Sequence, residues 1–336
     1  MARGKQHLNP MQKIVAVTGA SGHIGNVVCR KLIELGYDVK AFYHSDATSL
    51  KDLQLTLVKG DILDPTAVSN LLTGCDYVIN CAALISINGD PSGIVYKTNT
   101  QGPANILSVA KELGIKKIIH VSSVHAVHDL PHNTAYDETR PYKTKSDFAY
   151  DYSKAQGEQI MLSGTETDGV EVVVVRPSCV IGPYDFKPSK MGGALRGFYK
   201  KKFLFLPKGG YDLVDVRDLS TSICAALELG KNKEIYLLSG KYYSFKELGK
   251  EIGMVRAQKK TILILPNWIL TCSLPFVWLA GKITRTAPSL TKEAIVAITE
   301  GHPEMNNEKA RLLLHHKTRP LQETLRDVFN SKLNNT

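Results

Sequence analysis

The sequence predicts an α/β fold, in which a doubly wound parallel sheet is followed by a smaller C-terminal lobe. Three observations predict it. Across residues 13–176, short β-branched runs alternate with longer helical stretches, the order typical of a parallel sheet with crossover helices. Several runs, such as VEVVVVR (170–176), are continuously apolar, as strands are when helices cover both faces of the sheet. After Pro183 the alternation ends, and glycine, proline and lysine become frequent at 187–210.

Six strands and four helices can be assigned in order along the first half. The strands are predicted at 13–18, 38–43, 55–59, 77–80, 117–122 and 170–176. The helices are predicted at 24–35, 65–72, 92–113 and 146–163. We therefore expect a first domain at 11–183 and a lobe at 184–330, some of whose segments return to the first domain.

Composition narrows the class of protein. The chain has 336 residues, 43% of them hydrophobic, so it can bury a large core. Its net charge of +10 suits a small polyanionic ligand, and the scattering of Lys and Arg, except at 200–202, argues against nucleic-acid binding. Six cysteines without a C-x-x-C pair argue against a metal site or a disulfide framework. We expect a cytoplasmic protein without a signal peptide, as a monomer or homodimer.

An uncharged segment of about twenty residues, 262–281, is long enough to raise the question of a membrane span. Pro266 and Pro275 interrupt it, and proline inside a helix removes a hydrogen bond and kinks the chain. We predict that the segment forms an apolar wall of the lobe, with no stable span. A peripheral contact with a membrane is the alternative left open.

The run TGASGHIG (18–25) lies between the first strand and the first helix. Gly19 permits a tight turn, Gly22 lets the backbone approach a pyrophosphate, and Gly25 lets the helix lie close to the strand. The amides at the helix N-terminus then face the anion. This pattern predicts a Rossmann dinucleotide site whose contacts are Gly19, Ser21, Gly22, His23, Ile24 and Gly25.

The end of the second strand bears on the choice between NAD and NADP. An acid at this point accepts hydrogen bonds from the ribose of NAD, whereas a 2′-phosphate needs neutral or basic neighbours. The strand ends at Tyr43 and His44, and Asp46 lies slightly beyond. We predict NADP, with His44 and Ser45 near the phosphate. NAD bound through Asp46 is the alternative.

Tyr150 and Lys154 are spaced so that a helix places them on one face. We expect the ammonium to lower the pKa of the phenol, which would then exchange a proton with a substrate oxygen during hydride transfer. The same spacing recurs at Tyr242 and Lys246, but only Tyr150 is preceded by a strand that ends in serines. Ser123 could hydrogen-bond the reacting oxygen at the carboxyl edge of the sheet, whereas at Tyr242 we expect ordinary surface residues.

Taken in order, these motifs resemble the extended short-chain dehydrogenases/reductases, a group within the NAD-dependent epimerase/dehydratase superfamily. The resemblance covers nearly the whole chain. It rests on TGASGHIG, GDILD (60–64), NCAAL (80–84), NTQGPANIL (99–107), YDYSK (150–154), RPSCVIGP (176–183) and VDVRDLS (214–220), together with the tail 306–325. It implies cofactor contacts at Asp61, Ile62, Ala82, Ala83, Tyr150, Lys154 and Pro177, and catalytic roles for Ser123, Tyr150, Lys154 and Asn99.

Within this family the run VSSVHAV (121–127) is closest to the dihydroflavonol-reductase and 3β-hydroxysteroid-dehydrogenase branch, in which the second serine, here Ser123, takes the catalytic place. Asn80 stands where a histidine is commoner. His125 and His128 are predicted to be loop residues beside the pocket.

Three functions stay open on the sequence. The leading one is an oxidoreductase that transfers hydride between a nicotinamide cofactor and the carbonyl or hydroxyl group of a small, apolar substrate. The second is a nucleotide-sugar epimerase or dehydratase that uses the same centre. The third is an NAD(P)-sensing protein without turnover, against which the intact Tyr150/Lys154 pair argues. Substrate identity lies in the lobe after Pro183, which the sequence does not disclose.

Overall fold

The computed structural model describes residues 13–164, 169–284, 291–299 and 301–330. In chain order its strands are β1 Ile14–Thr18, β2 Asp38–Tyr43, β3 Thr56–Lys59, β4 Tyr77–Asn80, β5 Lys117–Val121, β6 Glu171–Pro177, β7 Cys179–Ile181, β8 Phe203–Pro207, β9 Gly210–Asp215, β10 Ile235–Leu238, β11 Lys241–Ser244 and β12 Thr261–Leu265. Its helices are α1 His23–Glu34, α2 Pro65–Leu72, α3 Ile94–Glu112, α4 Ala149–Ser163, α5 Lys190–Lys200, α6 Val216–Leu229, α7 Phe245–Val255, α8 Asn267–Thr284, α9 Lys292–Thr299, α10 Glu308–Leu313 and α11 Leu321–Asn330.

Seven strands form the central sheet in the order β10-β6-β5-β4-β1-β2-β3, and every neighbouring pair is parallel. The strand order reverses between β1 and β4, which opens a crevice at their carboxyl ends where ligands of such sheets bind. The α/β fold with a doubly wound parallel sheet, predicted from the alternating runs, is confirmed.

Two apolar layers cover the sheet, as the continuously apolar strands predict. On one face Val15 and Val17 of β1 pack in a core that includes residues of α1 and α6. On the other face Ala16 packs with residues of α2, α3 and α4, among them Leu71 and Ile106. Successive residues of β1 thus enter opposite layers, because side chains alternate along a strand.

The lobe has its own small core, formed around Leu204, Leu206 and Phe245 with residues of α5, α7 and α11. Two minor sheets contribute to it, β11-β9-β7 and β12-β8. Not every segment after residue 183 belongs to this lobe, since β10 pairs with β6 and residues of α6 pack in a core of the central sheet.

The apolar segment 262–281 is divided between β12 and α8. Pro266 lies between the two elements, but Pro275 lies inside α8, so the expectation that both prolines interrupt the segment is wrong for Pro275. A proline removes one backbone donor, and the rest of the helical hydrogen-bond ladder remains available. Within the described residues, no helix combines the length and apolarity that crossing a membrane requires.

Candidate active site

In the glycine-rich turn after β1, Gly19 and Gly25 are positions where a Cβ has no room. Gly19 has a φ of +62°, and a Cβ there would lie 2.8 Å from the backbone of Ala82. A Cβ on Gly25 would lie 2.3 Å from the Gly19 carbonyl oxygen, which instead accepts a hydrogen bond of 2.9 Å from the Gly22 amide. Gly22 is the N-cap of α1 and makes no side-chain capping bond. The uncapped amides and the bare backbone fit a pyrophosphate.

Three residues of this turn, Ser21, His23 and Ile24, contact other parts of the protein. The Nε2 atom of His23 lies 2.9 Å from the Pro183 carbonyl oxygen, so the turn is tied to the end of the RPSCVIGP stretch. Burial lowers the pKa of His23, which favours the neutral ring. The Ser21 carbonyl oxygen accepts a hydrogen bond of 3.2 Å from Ser49 Oγ, and Ile24 packs against the α1 side of the core.

Predicted contacts for the adenosine half lie at the ends of β2 and β3. His44 Nε2 lies 3.8 Å from Asp61 Oδ2, and both side chains are largely exposed. The neighbouring Ile62 is buried, and its carbonyl oxygen accepts a hydrogen bond of 3.0 Å from Asn105 Nδ2. Thus His44, Asp61 and Ile62, three predicted cofactor contacts, lie together at one edge of the sheet.

Asp46 is committed to partners in the protein. Its Oδ1 accepts hydrogen bonds from the amide of Thr48, at 2.9 Å, and from the Thr48 hydroxyl, at 2.6 Å. Its Oδ2 lies 3.1 Å from Nζ of Lys187, a residue of the segment that follows β7. These bonds to Thr48 and Lys187 hold the pKa of Asp46 below its usual range. The sequence pointed to Asp46 but not to Lys187, which is distant in the chain.

Beside the turn, a buried polar chain crosses three strands. Thr18 Oγ1 donates to Asn80 Oδ1 at 2.6 Å, and Asn80 Nδ2 lies 3.0 Å from His120 Nδ1. Burial holds the pKa of His120 well below its ordinary value, so this ring is neutral. The Ala82 amide lies 3.3 Å from both Thr18 Oγ1 and Asn80 Oδ1. Asn80 therefore holds the start of the predicted Ala82 and Ala83 contact segment beside Gly19.

Three of the four residues predicted to be catalytic, Ser123, Tyr150 and Lys154, converge at the carboxyl end of β5. The Ser123 side chain lies close enough to Tyr150 to lower the pKa of the phenol, and Ser123 Oγ accepts a hydrogen bond of 3.1 Å from the His125 amide. Lys154 Nζ donates to the carbonyl oxygen of Val121 at 3.0 Å. Tyr150 and Lys154 both lie on α4, as their spacing predicted. A phenol, a hydroxyl and an ammonium thus meet where ligands of parallel sheets bind.

The pKa values of the pair differ from the expectation. Burial raises the pKa of Tyr150 to about 12, and the interaction with Ser123 only partly opposes this. Burial also lowers the pKa of Lys154 to about 8. The predicted lowering of the phenol pKa by the ammonium is therefore wrong for this structure. The physical reason is that removal from water dominates both groups, while the ammonium is directed to the Val121 carbonyl.

Asn99 contacts the helix that carries Tyr150 and Lys154, through hydrogen bonds on the side of α3. It is buried, and it exchanges hydrogen bonds of 2.9 Å with both the amide and the carbonyl of Leu84. Its Nδ2 also donates to Ser153 Oγ at 2.9 Å, and Ser153 Oγ donates to the Tyr150 carbonyl at 2.6 Å. A Cβ on Gly157 would lie 2.2 Å from the Asn99 carbonyl oxygen, so α3 and α4 are in close contact here. Asn99 therefore positions α4 rather than touching the phenol.

A buried ion pair fixes the other end of the same helix face. Glu158 follows Lys154 by one turn, and its carboxylate lies 2.6 Å from Arg176 Nη2. Arg176 Nη1 donates to the Glu138 carbonyl, and the Tyr142 hydroxyl donates to Glu158 at 2.8 Å. Arg176 belongs to the RPSCVIGP stretch, whose Pro177 is buried at the end of β6. The pair joins the catalytic helix to the strand predicted to border the nicotinamide.

Comparison with known proteins identifies the family. The model of the NAD dependent epimerase/dehydratase family matches residues 15–239. The chain belongs to this family. A relative called "Sterol demethylase protein B", from Methylococcus capsulatus, is 27% identical over 74% of this chain and 76% of its own. A Synechocystis protein named for dihydroflavonol 4-reductase is 28% identical over 82% of this chain and 81% of its own.

Two further matches cover almost the whole chain. The "Sterol-4-alpha-carboxylate 3-dehydrogenase, decarboxylating" of Dictyostelium discoideum is 26% identical over 90% of this chain and 95% of its own. Among solved structures, the crystal structure of gox2253 superposes with a TM-score of 0.81 at 26% identity, over 95% of this chain and 97% of that one. The predicted family is confirmed, and the protein is an NAD(P)-dependent oxidoreductase of the extended short-chain type.

In this oxidoreductase several residues near the centre were missed by the sequence analysis. Ser153 was visible only as the residue before Lys154, and nothing in the sequence linked it to Asn99. Asp151 lies beside Tyr150, with its Oδ1 3.5 Å from His125 Nδ1 and its Oδ2 3.9 Å from Lys143 Nζ. The His125 ring is 6.0 Å from the Tyr150 ring. His128 lies farther along the loop, 3.9 Å from Asp147.

Proposed function

We propose that the enzyme reduces the carbonyl group of a small, apolar substrate, with Tyr150 as the proton donor. The observation that carries the proposal is that the side chains of Tyr150 and Ser123 interact at the carboxyl end of β5. A substrate oxygen that enters this site can accept a hydrogen bond from each hydroxyl. The glycine turn at 18–25 opens onto the same edge of the sheet and would hold the dinucleotide pyrophosphate.

Each residue then has a defined task. When bound, the nicotinamide dinucleotide supplies the hydride that the carbonyl carbon accepts. Tyr150 donates its proton to the carbonyl oxygen, and Ser123 hydrogen-bonds that oxygen while charge develops on it. A phenol with a pKa of about 12 is protonated at neutral pH, which suits an acid in the reductive direction. Lys154 would hold the ribose hydroxyls next to the nicotinamide, and Asn99 positions α4 through Ser153.

The substrate class rests on the relatives. They are named for sterols and for a dihydroflavonol, which are ring systems with few charges. The phosphates of a nucleotide sugar, by contrast, call for cationic groups. The family description also includes epimerases and dehydratases, so a nucleotide sugar is the competing substrate.

We further propose that NADPH is preferred over NADH. A ribose-binding acid needs free acceptor atoms, but both oxygens of Asp46 are already bonded to Thr48 and Lys187. Lys187 also brings a cation to this edge, and His44 is exposed there, which suits a 2′-phosphate. Residues Asp61, Ile62, Ala82 and Ala83 would complete the cofactor contacts.

Nicotinamide fluorescence titrations with both cofactors test this preference. NADPH should bind more tightly than NADH. Lys187→Ala should reduce the ratio of the two dissociation constants by about threefold or more, because it removes a cation and frees Asp46. Lys231→Ala is the control, because Lys231 is exposed and precedes β10 at the opposite edge of the sheet. Tighter binding of NADH by the wild-type protein would make Asp46 the ribose ligand.

The activity is tested by following oxidation of NADPH and NADH with a keto-steroid and a dihydroflavonol, and by analysing the products formed from a nucleotide sugar, whose epimerisation or dehydration consumes no cofactor. We expect turnover with one of the apolar ketones and none with the nucleotide sugar. Conversion restricted to nucleotide sugars would move the protein to the epimerase or dehydratase class. Cofactor binding without turnover of any substrate would favour the sensing function.

A further inference from the structure

The outer face of the small β8–β12 sheet is apolar and exposed. The two strands are parallel, with Phe203 opposite Thr261 and Phe205 opposite Leu263. Phe203, Phe205 and Leu263 are 59%, 65% and 53% exposed. Leu204 and Leu206 point the other way into the lobe core. A sheet with one buried face normally carries polar residues on its other face, so this alternation of buried and exposed apolar residues is unusual.

A second exposed apolar face begins where this sheet ends. The Lys208 amide, next to β8, donates to Asn267 Oδ1 at 3.1 Å, and α8 starts at Asn267. Trp268 and Phe276 are 66% and 74% exposed, and they are spaced eight apart, which places them on one side of the helix. We call Phe203, Phe205, Leu263, Trp268 and Phe276 together the apolar surface.

Lysines flank the apolar surface without acidic partners. The stretches 200–208 and 257–268, which contain β8 and β12, hold six lysines and no Asp or Glu. Lys260 is used internally, since its Nζ donates to the carbonyls of Tyr199 and Lys201. The side chains of Lys201, Lys202 and Lys259 are exposed, and none forms an ion pair with a residue that the structure describes. The β8–β12 part of the apolar surface is therefore bordered by positive charge.

From these features we propose that the apolar surface docks on the headgroup region of an anionic lipid bilayer. Soluble monomers rarely expose several large apolar side chains together. Aromatic side chains flanked by lysines are suited to the boundary between headgroups and acyl chains. Anionic lipids attract the uncompensated lysines, whereas a second copy of this face would bring only further lysines, which repel them. In the described part of the chain no helix could span the bilayer, so the protein would lie on it.

Vesicle flotation of the full-length protein tests the proposal. Vesicles of phosphatidylcholine alone are compared with vesicles that contain about one third phosphatidylserine. We expect binding to the anionic vesicles, weakened by high salt. Both tryptophans of the chain, Trp268 and Trp278, lie on α8, so intrinsic fluorescence reports on that helix. Emission should shift to the blue on binding, and lipids brominated in the acyl chain should quench it.

Paired variants locate the surface. The variant with Phe203→Ser and Phe205→Ser should have a vesicle partition coefficient at least about fivefold lower than the wild type. The variant with Lys201→Glu and Lys202→Glu should have one at least about tenfold lower. The matched controls are Leu312→Ser with Leu313→Ser on α10, where Leu312 is 68% exposed, and Lys231→Glu with Lys317→Glu; both should bind as the wild type does.

Circular dichroism and NADPH titration check that each variant is folded. If the phenylalanine pair unfolds the protein, the lysine pair carries the test, since those side chains are exposed. Absence of wild-type binding to either vesicle, or unchanged emission, would overturn the proposal. A second result would also overturn it: the wild type is a dimer in light scattering and does not bind vesicles, and the variant with Phe203→Ser and Phe205→Ser is a monomer. The apolar surface would then join two copies of the chain.

Discussion

Two segments of the chain carry the same Tyr-x-x-x-Lys spacing but have different structures. Tyr150 and Lys154 both lie on α4, one turn apart. Tyr242 lies on β11, and Lys246 lies on α7, so the second spacing crosses a strand–helix junction at Ser244. The four-residue spacing places two side chains on one face only within a single helix. The prediction that only the first pair forms part of a site therefore depends on its helical context.

The surroundings of the two pairs differ as much as their backbones. Lys154 is buried, and its helix is held to β6 by the buried Glu158–Arg176 pair. Lys246 is exposed, and the nearby Glu247 serves only the capping box of α7, where it accepts from the Ser244 amide at 2.8 Å. One Tyr-x-x-x-Lys segment is thus fixed from several sides, and the other marks an ordinary helix start. The following substitutions test this contrast.

Glu158→Gln should have the largest effect, on stability. It leaves the buried Arg176 guanidinium without its charged partner, which typically costs about 3 to 5 kcal/mol in the free energy of unfolding. Glu247→Gln removes only the charge of an exposed capping contact and should cost at most about 1 kcal/mol. Urea denaturation of both variants and the wild type gives the comparison. Equal losses would mean that the buried pair does not anchor α4.

Tyr150→Phe should lower kcat by at least about a hundredfold, because it removes the proton donor. The cofactor dissociation constant should be nearly unchanged, since the aromatic ring remains. Tyr242→Phe is the matched control and should leave kcat within about twofold of the wild type. Steady-state kinetics decide the matter, and similar behaviour of the two variants would remove Tyr150 from the mechanism.

Lys154→Met should change how stability depends on pH. The pKa of Lys154 is about 8 in the folded protein and about 10.5 when unfolded, so between these values the unfolded state holds more protons. The wild type therefore gains stability as pH rises from 8 to 10, as the cost of burying the ammonium is relieved. The variant lacks this gain, which we expect to reach about 2 kcal/mol.

Denaturant titrations at pH 7, 8, 9 and about 10 measure the difference between the two proteins. Lys246→Met is the control, because that side chain is exposed. The Lys154→Met variant should be most favoured, relative to wild type, at the lowest pH. A difference that does not vary with pH would show that burial of the ammonium carries no such cost.

Two serines give the smallest contrast. Ser153→Ala and Ser244→Ala should each cost about 1 kcal/mol in stability, the first through lost buried hydrogen bonds and the second through a lost N-cap. Only Ser153→Ala should also lower kcat, by about tenfold or less, because Asn99 then loses its link to α4. Melting temperatures and kcat for both variants check this. An unchanged kcat in Ser153→Ala would reduce Ser153 to a stabilising residue.

Much of the site could be predicted because its signals are local. The glycine turn follows from backbone conformations and approaches that only glycine allows at Gly19 and Gly25. The partner of Asp46 could not be found in this way, since Lys187 is brought to it by the fold from 141 positions away, the difference of the two residue numbers. The pKa of Tyr150 could not be found either, because it depends on how much water the folded chain excludes.

The sequence by itself determined the order of strands and helices from β1 to β6, the glycine turn and the family, and it predicted which residues can exchange a proton, because periodicity and short-range spacing are properties of the chain. Only the tertiary structure decided that Tyr150 meets Ser123, that Lys154 is directed to the Val121 carbonyl, and that β8 and β12 leave aromatic residues in solvent. Those outcomes depend on contacts between distant segments and on the burial of side chains. Such contacts and burial arise only when the chain folds and the sheet brings its strand ends together, so local spacing does not encode them.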